Sequence, residues 1–299
     1  LKIYEKGGII TNHYNSPYAP HKLTIGAGGI QIYRSGETLI KGEGGITASQ
    51  AFLNIRLNSS GNLRIQSVIA DNGRQKVGLR ISGQHTNYST VVLEGNAANT
   101  FTGDVEVSGT GTILALSKAQ GVAASYGDFL IKSGSILELR RGSQISDPST
   151  VTLRSGTLRL KWNENVRSEI FHKLAIEGDS QLQFESWKGI QSRLYLGELA
   201  IANGSLLEVQ GWKAGRDWLL VKKTSKSLGN ALKKIRFEGY DPNAIHLEDY
   251  NKDYWSISGT PEPSTYGTIL ASGALGLALF QGRRRERKNR SDTLDDVLT

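Results

Sequence analysis

The feature that most constrains this chain is an interval. Gly61, Gly83, Gly109, Gly134, Gly156, Gly178 and Gly204 follow one another at 22, 26, 25, 22, 22 and 26 residues. Around them, short alternating segments end in small-residue turns and begin again: "GTILAL" at 111–116, "GSILEL" at 134–139, "GTLRL" at 156–160, "DSQLQF" at 179–184 and "GSLLEV" at 204–209. Such alternation gives a brief strand with one apolar face. A second strand signal sits inside most periods, as in "STVVLEG" at 89–95, "DVEVSG" at 104–109, "DFLIKSG" at 128–134, "STVTLRSG" at 149–156 and "HKLAIEG" at 172–178. Two or three short strands in each period is the content of one coil of a β-helix, and a repeat in this range predicts a solenoid. A β-sandwich offers similar alternation but has no need of evenly repeated glycine turns.

The same alternation sets a register. With Leu137, Leu139, Leu158, Leu160, Leu182, Phe184, Leu207 and Val209 pointing inward, Glu138, Arg159, Gln183 and Glu208 point outward from successive coils. Glu138 and Arg159 are then expected to meet across coils as an exposed pair, worth only about 0.2–1 kcal/mol.

Composition removes several function classes. The 35 glycines come with six prolines and no G-X-Y period, which excludes collagen. Without cysteine there is no disulfide, thiolate nucleophile or cysteine-ligated metal. The chain also lacks methionine, so Leu1 is expected to mark a processed or truncated start. The formal charge of +8 invites a nucleic-acid reading, but residues 283–290 hold six basic residues against Glu286, a net +5 that leaves about +3 for the rest. A phosphate-reading surface spreads its charge over a folded face, so no nucleic-acid partner is expected.

One stretch resembles a known family. "VVLEGNAANTFTGDVEVSGTGTILALSKAQGV" at 91–122 is similar to the autotransporter-associated β-strand repeat, also called the passenger-associated transport repeat. Asn99, Thr100, Phe101, Thr102 and Gly103 form its "NTYTG"-like turn, with Phe101 for the usual tyrosine, and Val105, Val107, Ile113, Leu114 and Leu116 fill its strand positions. The resemblance covers about 32 residues. It implies a right-handed single-stranded parallel β-helix of the kind found in autotransporter passenger domains, although no recognisable outer-membrane barrel follows.

A second resemblance lies at the C-terminus. "PEPSTYG" at 261–267, an apolar run and an arginine cluster resemble the PEP-CTERM sorting signal of exported bacterial proteins. Pro261, Glu262 and Pro263 match the defining tripeptide, and residues 231–259 resemble the segment that often precedes such signals. The 20 uncharged residues from 263 to 282 are just enough helix to cross about 30 Å of hydrocarbon. Arg283, Arg284, Arg285, Arg287 and Lys288 would form the cytoplasmic stop by the positive-inside tendency. The resemblance implies an exosortase-like membrane sorting enzyme as partner.

Chemistry is sparse. His13, His21, His85, His172 and His246 form no HExxH or close ligand pair, and His172 reads as an ordinary surface residue. "GAGGI" at 26–30 reads as a glycine turn between strands, since dinucleotide spacing and a following helix pattern are both missing. Asp104 and Glu106 share one strand face, as a glycosidase carboxylate pair must, but they also suit a solvated outer face. Trp162, Trp187 and Trp212 recur every 25 residues, one per coil. They suit an aromatic ladder along a glycan groove, or, preferred, interior filling and end packing.

The expected organisation is an N-terminal β-rich segment at 1–45, repeats at 46–210, a capping segment at 211–258 with a short helix in "SKSLGNALKKI" at 225–235, and a sorting tail at 259–299 with a transmembrane segment at about 264–282. The expected function is a noncatalytic adhesive or structural protein, exported, anchored in the inner membrane as a precursor and then released to the bacterial surface or extracellular matrix. No cofactor or metal is called for. The alternative is a β-helix that binds or degrades an extracellular polysaccharide.

Overall fold

Short strands with one apolar face cannot stand alone, so each must stack on copies of itself. In the computed structural model, which describes residues 2–3, 9–11, 22–33, 35–83, 88–162, 167–185 and 189–261, they do so as a right-handed parallel β-helix. The first sheet holds twelve strands. It runs from Lys2–Ile3 and Ile30–Ile32 through Phe52–Leu57, Gly78–Gly83, Val105–Ser108, Phe129–Lys132 and Thr150–Arg154 to Arg167–Ile176, Ser192–Ile201 and Asp217–Lys222, and ends in Tyr254–Pro261 and Tyr240–Asp249. The second sheet holds ten, among them Glu37–Lys41, Asn62–Ile65, Ser89–Gly95, Thr112–Lys118, Ile136–Leu139, Thr157–Leu160, Ser180–Phe184, Leu207–Gln210 and Ile235–Phe237. A narrower third corner begins with Leu23–Ile25 paired to Ile46–Ala48 and continues as single bridges, Ile46 to Ile69, Ala70 to Thr100 and Ser125 to Ile145.

Inside, like residues stack on like. In the second sheet Leu114, Leu137, Leu158, Leu182 and Val209 form one inward column. In the first, Leu53, Leu79, Val105, Phe129, Val151, Leu174 and Leu199 form another. All are at most 2% exposed and belong to one core that runs from Ile25 to Ile257. Each such side chain contributes about 1.5–3 kcal/mol by leaving water. The eight inward positions read from the alternation are all buried.

The turn motif at 99–103 has a structural explanation residue by residue. Asn99 is fully buried; its Oδ1 accepts the Ile69 amide at 3.0 Å and its Nδ2 donates to the Ala124 carbonyl at 2.8 Å, so one side chain bridges the coils on both sides. Phe101 fills the corner with no exposure. Thr102 donates its amide and hydroxyl to the two oxygens of Asp71, at 3.0 and 2.7 Å. Gly103 must be glycine because any Cβ there would press on the backbone of Val77 and Gly78. At the turn between the sheets, Gly109 takes φ 99° against the Gly83 carbonyl, a conformation and an approach that only glycine allows.

Beyond the last full coil the pattern changes. A five-residue helix, Leu228–Leu232, lies where a short helix was expected, and Tyr240–Asp249 with Tyr254–Pro261 add an antiparallel hairpin to the first sheet. Trp212 packs edge-on to Phe237 and Tyr240, at 4.7 and 5.1 Å between ring centres, and Tyr195 packs on Tyr254 at 5.2 Å. The hairpin's outer strand carries Asp241, Pro242, Glu248 and Asp249 and a register shift after Tyr240, features that discourage further strand pairing.

The C-terminal expectation needs correction. Among the described residues no helix is long and apolar enough to cross a membrane, and Leu228–Leu232 spans only about 7.5 Å. Over the described residues the fold is an all-β parallel β-helix, with no transmembrane sorting helix among them. The inner-membrane anchor and the exosortase-like partner, which depended on that helix, find no support among the described residues. The expected span at 264–282, Glu262, Pro263, Arg283, Arg284, Arg285, Arg287 and Lys288 lie outside the described residues. Pro261 is described, and it closes the last strand opposite Tyr240, so the sheet runs past the expected start of the tail at Gly259.

Candidate functional site

The outward rows of the second sheet divide into two parts. Val92, Ile113, Ala115 and Ile136 make a small apolar cluster of their own, separate from the core. One coil further on, the same rows turn polar. Ile136 is followed in register by Thr157, Gln181 and Glu208, and Glu138 by Arg159, Gln183 and Gln210.

These polar side chains form a directed ladder. Arg159 Nη1 donates to Glu138 at 3.2 Å while its Nε donates to Gln183 Oε1 at 2.9 Å. Gln183 Nε2 donates in turn to Gln181 and Gln210, both at 3.0 Å, and each of those amides donates onward to Glu208, at 3.4 and 3.1 Å. With a guanidinium at one end and a carboxylate at the other, every amide in between has its oxygen toward the arginine and its nitrogen toward the glutamate. Bonds polarised in one sense strengthen one another.

Glu138 and Arg159 meet as the register requires, but not as an exposed pair. Glu138 is only 1% exposed, roofed by Arg140 at 2.6 Å, Arg159 at 3.2 Å and Lys161 at 3.9 Å. Glu208 sits one row away from the expected line, beside Gln181, because the long coil before it stacks Val209 on Leu182.

A groove of about 380 Å³ runs beside this ladder. One wall is the turn that precedes each strand of the second sheet, with Thr110, Gly111, Gly134, Ser155, Gly156, Asp179 and Ser180, and the other is the outward row of Ile136, Thr157, Arg159, Gln181 and Gln183. Tyr88 stands at one end with 66% of its surface exposed. Asp179 is the groove's single carboxylate, and its Oδ1 accepts the Leu206 amide at 2.9 Å. The volume falls in the range of ligand sites, and the lining mixes one ring with many neutral hydrogen-bonding groups.

The other candidates lie elsewhere. Glu106 is on the outer face of the first sheet, gripped by Lys132 and by Arg80 at 2.7 Å. The Lys132 and then the Arg80 hydrogen bonds hold its carboxyl below the usual range, the opposite of what a general acid needs. Asp104 accepts the Asp128 amide at 3.2 Å. Trp162 and Trp212 are 0% and 6% exposed, so they are interior and end packing rather than rungs of a surface ladder; Trp187 lies outside the described residues. His172 and His246 are exposed, while His13, His21 and His85 lie outside the described residues. The 26–30 segment is a turn between strands, closed by the Gly29 amide on the Gly26 carbonyl at 3.0 Å. Among the described residues no group of three or more acidic or histidine side chains could hold a metal ion.

Sequence reasoning missed Tyr88 and the Gln181, Gln183 and Gln210 amides as site residues. The signal was present: polar residues at outward positions of three consecutive strands, in line with a glycine turn. Comparison with protein-family models, with curated proteins and with solved structures finds no match for this chain. What stands is a parallel β-solenoid repeat protein, with neither the autotransporter-associated repeat nor the PEP-CTERM signal identified as its family.

Proposed function

We propose that this chain is a noncatalytic β-helix scaffold that holds a glycan against the outer face of its second sheet. The observation that carries this reading is the groove itself: an exposed tyrosine ring, a row of neutral amides and hydroxyls, and one carboxylate already engaged with a backbone amide. Sugars present hydroxyls that amides read in both directions and an apolar ring face that an aromatic covers. Glycoside hydrolysis uses two carboxylates across a cleft, and this groove supplies Asp179 alone. The likeness of residues 91–122 to passenger-type repeats supports the same reading, with the coils as scaffold and the outer face as the contact surface.

The test is binding and turnover with purified protein on a panel of neutral and acidic polysaccharides. Saturable binding that weakens in Tyr88→Ala and Gln181→Ala, with no release of reducing ends, is the expected result. Cleavage that disappears in Asp179→Asn, or in Asp104→Asn or Glu106→Gln, would overturn the noncatalytic reading.

A further inference from the structure

Resting on the glycan reading above, we infer that the groove takes an uncharged, linear polysaccharide laid parallel to the helix axis, with one sugar ring per coil. The argument starts from the wall. Gly111, Gly134 and Gly156 occupy the same turn in three successive coils, tied by backbone hydrogen bonds from the Gly111 amide to Gly134 and from the Gly134 amide to Ser155, at 3.3 and 2.7 Å. Glycine in this turn at three successive coils keeps the wall low, and the side chains that stand on it before Asp179 are the short ones of Thr110 and Ser155.

The opposite wall has the same axial continuity. Ile136, Thr157 and Gln181 are register neighbours in consecutive strands. With Thr110 and Gly111 in the coil before them and Tyr88 in the one before that, the lining spans five coils, or about 19 Å at the ~4.8 Å spacing of paired strands. That spacing is close to the length of one pyranose ring in an extended chain. A polymer and a scaffold with matching repeats can therefore make equivalent contacts at each level. A chain crossing the groove transversely would touch one coil and leave the rest of the wall unused.

Charge selects among such polymers. The only ionised side chains in the lining are Arg159 and Asp179, one of each sign. Arg159 is spent on Glu138, Glu185 and Gln183, and Asp179 on the Leu206 amide. An acidic polysaccharide would bring a carboxylate to every coil and find no free cation among the groove's lining to meet it, at the desolvation cost of each charge.

Three measurements on the intact chain separate this inference from the reading beneath it. Oligomers of β-1,4-linked glucose, mannose and N-acetylglucosamine, from the monomer to the hexamer, are titrated alongside galacturonate oligomers. For the neutral series that binds, affinity should climb by at least about tenfold between the dimer and the tetramer and level off near the pentamer. Thr157→Arg, which places a long side chain halfway along the wall, should abolish that climb. Affinity that is already maximal at the dimer would overturn the axial placement and leave glycan binding intact. Tighter binding of the galacturonate series would overturn the preference for uncharged chains. If no oligomer and no polymer binds, the glycan reading itself fails, and this inference with it.

Discussion

The two main sheets and the third corner solve the same problem by different means. In the sheets, coil is joined to coil by identical backbone ladders and by columns of leucine, valine and phenylalanine that repeat with little variation. At the corner the ladder dwindles to single bridges, and individual polar side chains take over. Asn99 spans three coils. Gln144 accepts the Lys118 amide at 2.7 Å through its Oε1. Glu169, fully buried, receives the Gln144 and Ile145 amides on its two oxygens at 2.9 and 3.2 Å, standing in for the strand carbonyls that the corner no longer supplies. Repetition tolerates averaging; the corner does not, because single side chains there hold particular backbone groups of the neighbouring coils.

That contrast can be broken first in the sheets. Leu158→Ala removes one member of a close-packed column between Leu137 and Leu182 and should cost about 2–5 kcal/mol in denaturant unfolding. A loss below about 1 kcal/mol would mean the column collapses around the gap and that the sheets are less specific than their packing suggests.

The next effect belongs to Glu169 and is read against pH. Burial, outweighing the backbone donors, pushes its carboxyl up to about 8, with Asp147 adding a smaller push in the same direction. An acid whose folded value lies above its unfolded one costs nothing below about pH 4 and destabilises progressively as pH rises toward 8. Thermal stability should therefore fall between about pH 5 and pH 8, on the order of 1 kcal/mol per unit at most. Glu169→Gln should flatten this slope whatever it does to the baseline. A slope that survives the substitution would assign the titration to another group.

Asn99→Ala should follow, at about 1–3 kcal/mol, since it leaves the Ile69 amide and the Ala124 carbonyl without their buried partner. Lys118 reverses the sign. Its side chain is wholly buried with no hydrogen-bond partner for Nζ, and burial lowers its pKa to about 8. Lys118→Met keeps the stem and removes the amine, so it should stabilise by about 1–2 kcal/mol at neutral pH. The gain should shrink as pH rises from about 8 toward the ordinary lysine value, where the native protein no longer holds a charge that the unfolded chain would keep. A loss of stability would reveal a partner for Nζ.

The same contrast explains what was legible beforehand. Leu137, Leu158 and Leu182 announce themselves because alternation and period repeat at every coil, so the β-helix and its register can be read from spacing. Gln144, Glu169 and Lys118 carry no such signal: a polar residue at or beyond the end of an apolar run reads as surface, and only the three-dimensional fold shows that it is buried. Trp162 was legible only as a preference, since a coil-long interval fits an outer ladder as well as an inner column, and its burial bears out the interior reading. The groove fell between these cases. Its glycines were read as turns, which they are, while their alignment into one low wall depends on the length of each coil.

The smallest expected effect tests whether outward ion pairs matter to the stack at all. Arg154 and Glu177 face solvent on adjoining coils of the first sheet, 2.6 Å apart, with 55% and 44% of their side chains exposed. Geometry alone would rank this contact above the 3.0 Å bond of Asn99. Exposure reverses the ranking, because water solvates both charges when they part and salt screens them while they pair. Arg154→Ala should cost no more than about 0.5 kcal/mol, and that cost should fade in molar salt, whereas the Asn99→Ala deficit should not. A deficit above about 1 kcal/mol that persists in high salt would place part of the coil-to-coil cohesion on the outer face, and the division between repeating sheets and individually bonded corner would have to be redrawn.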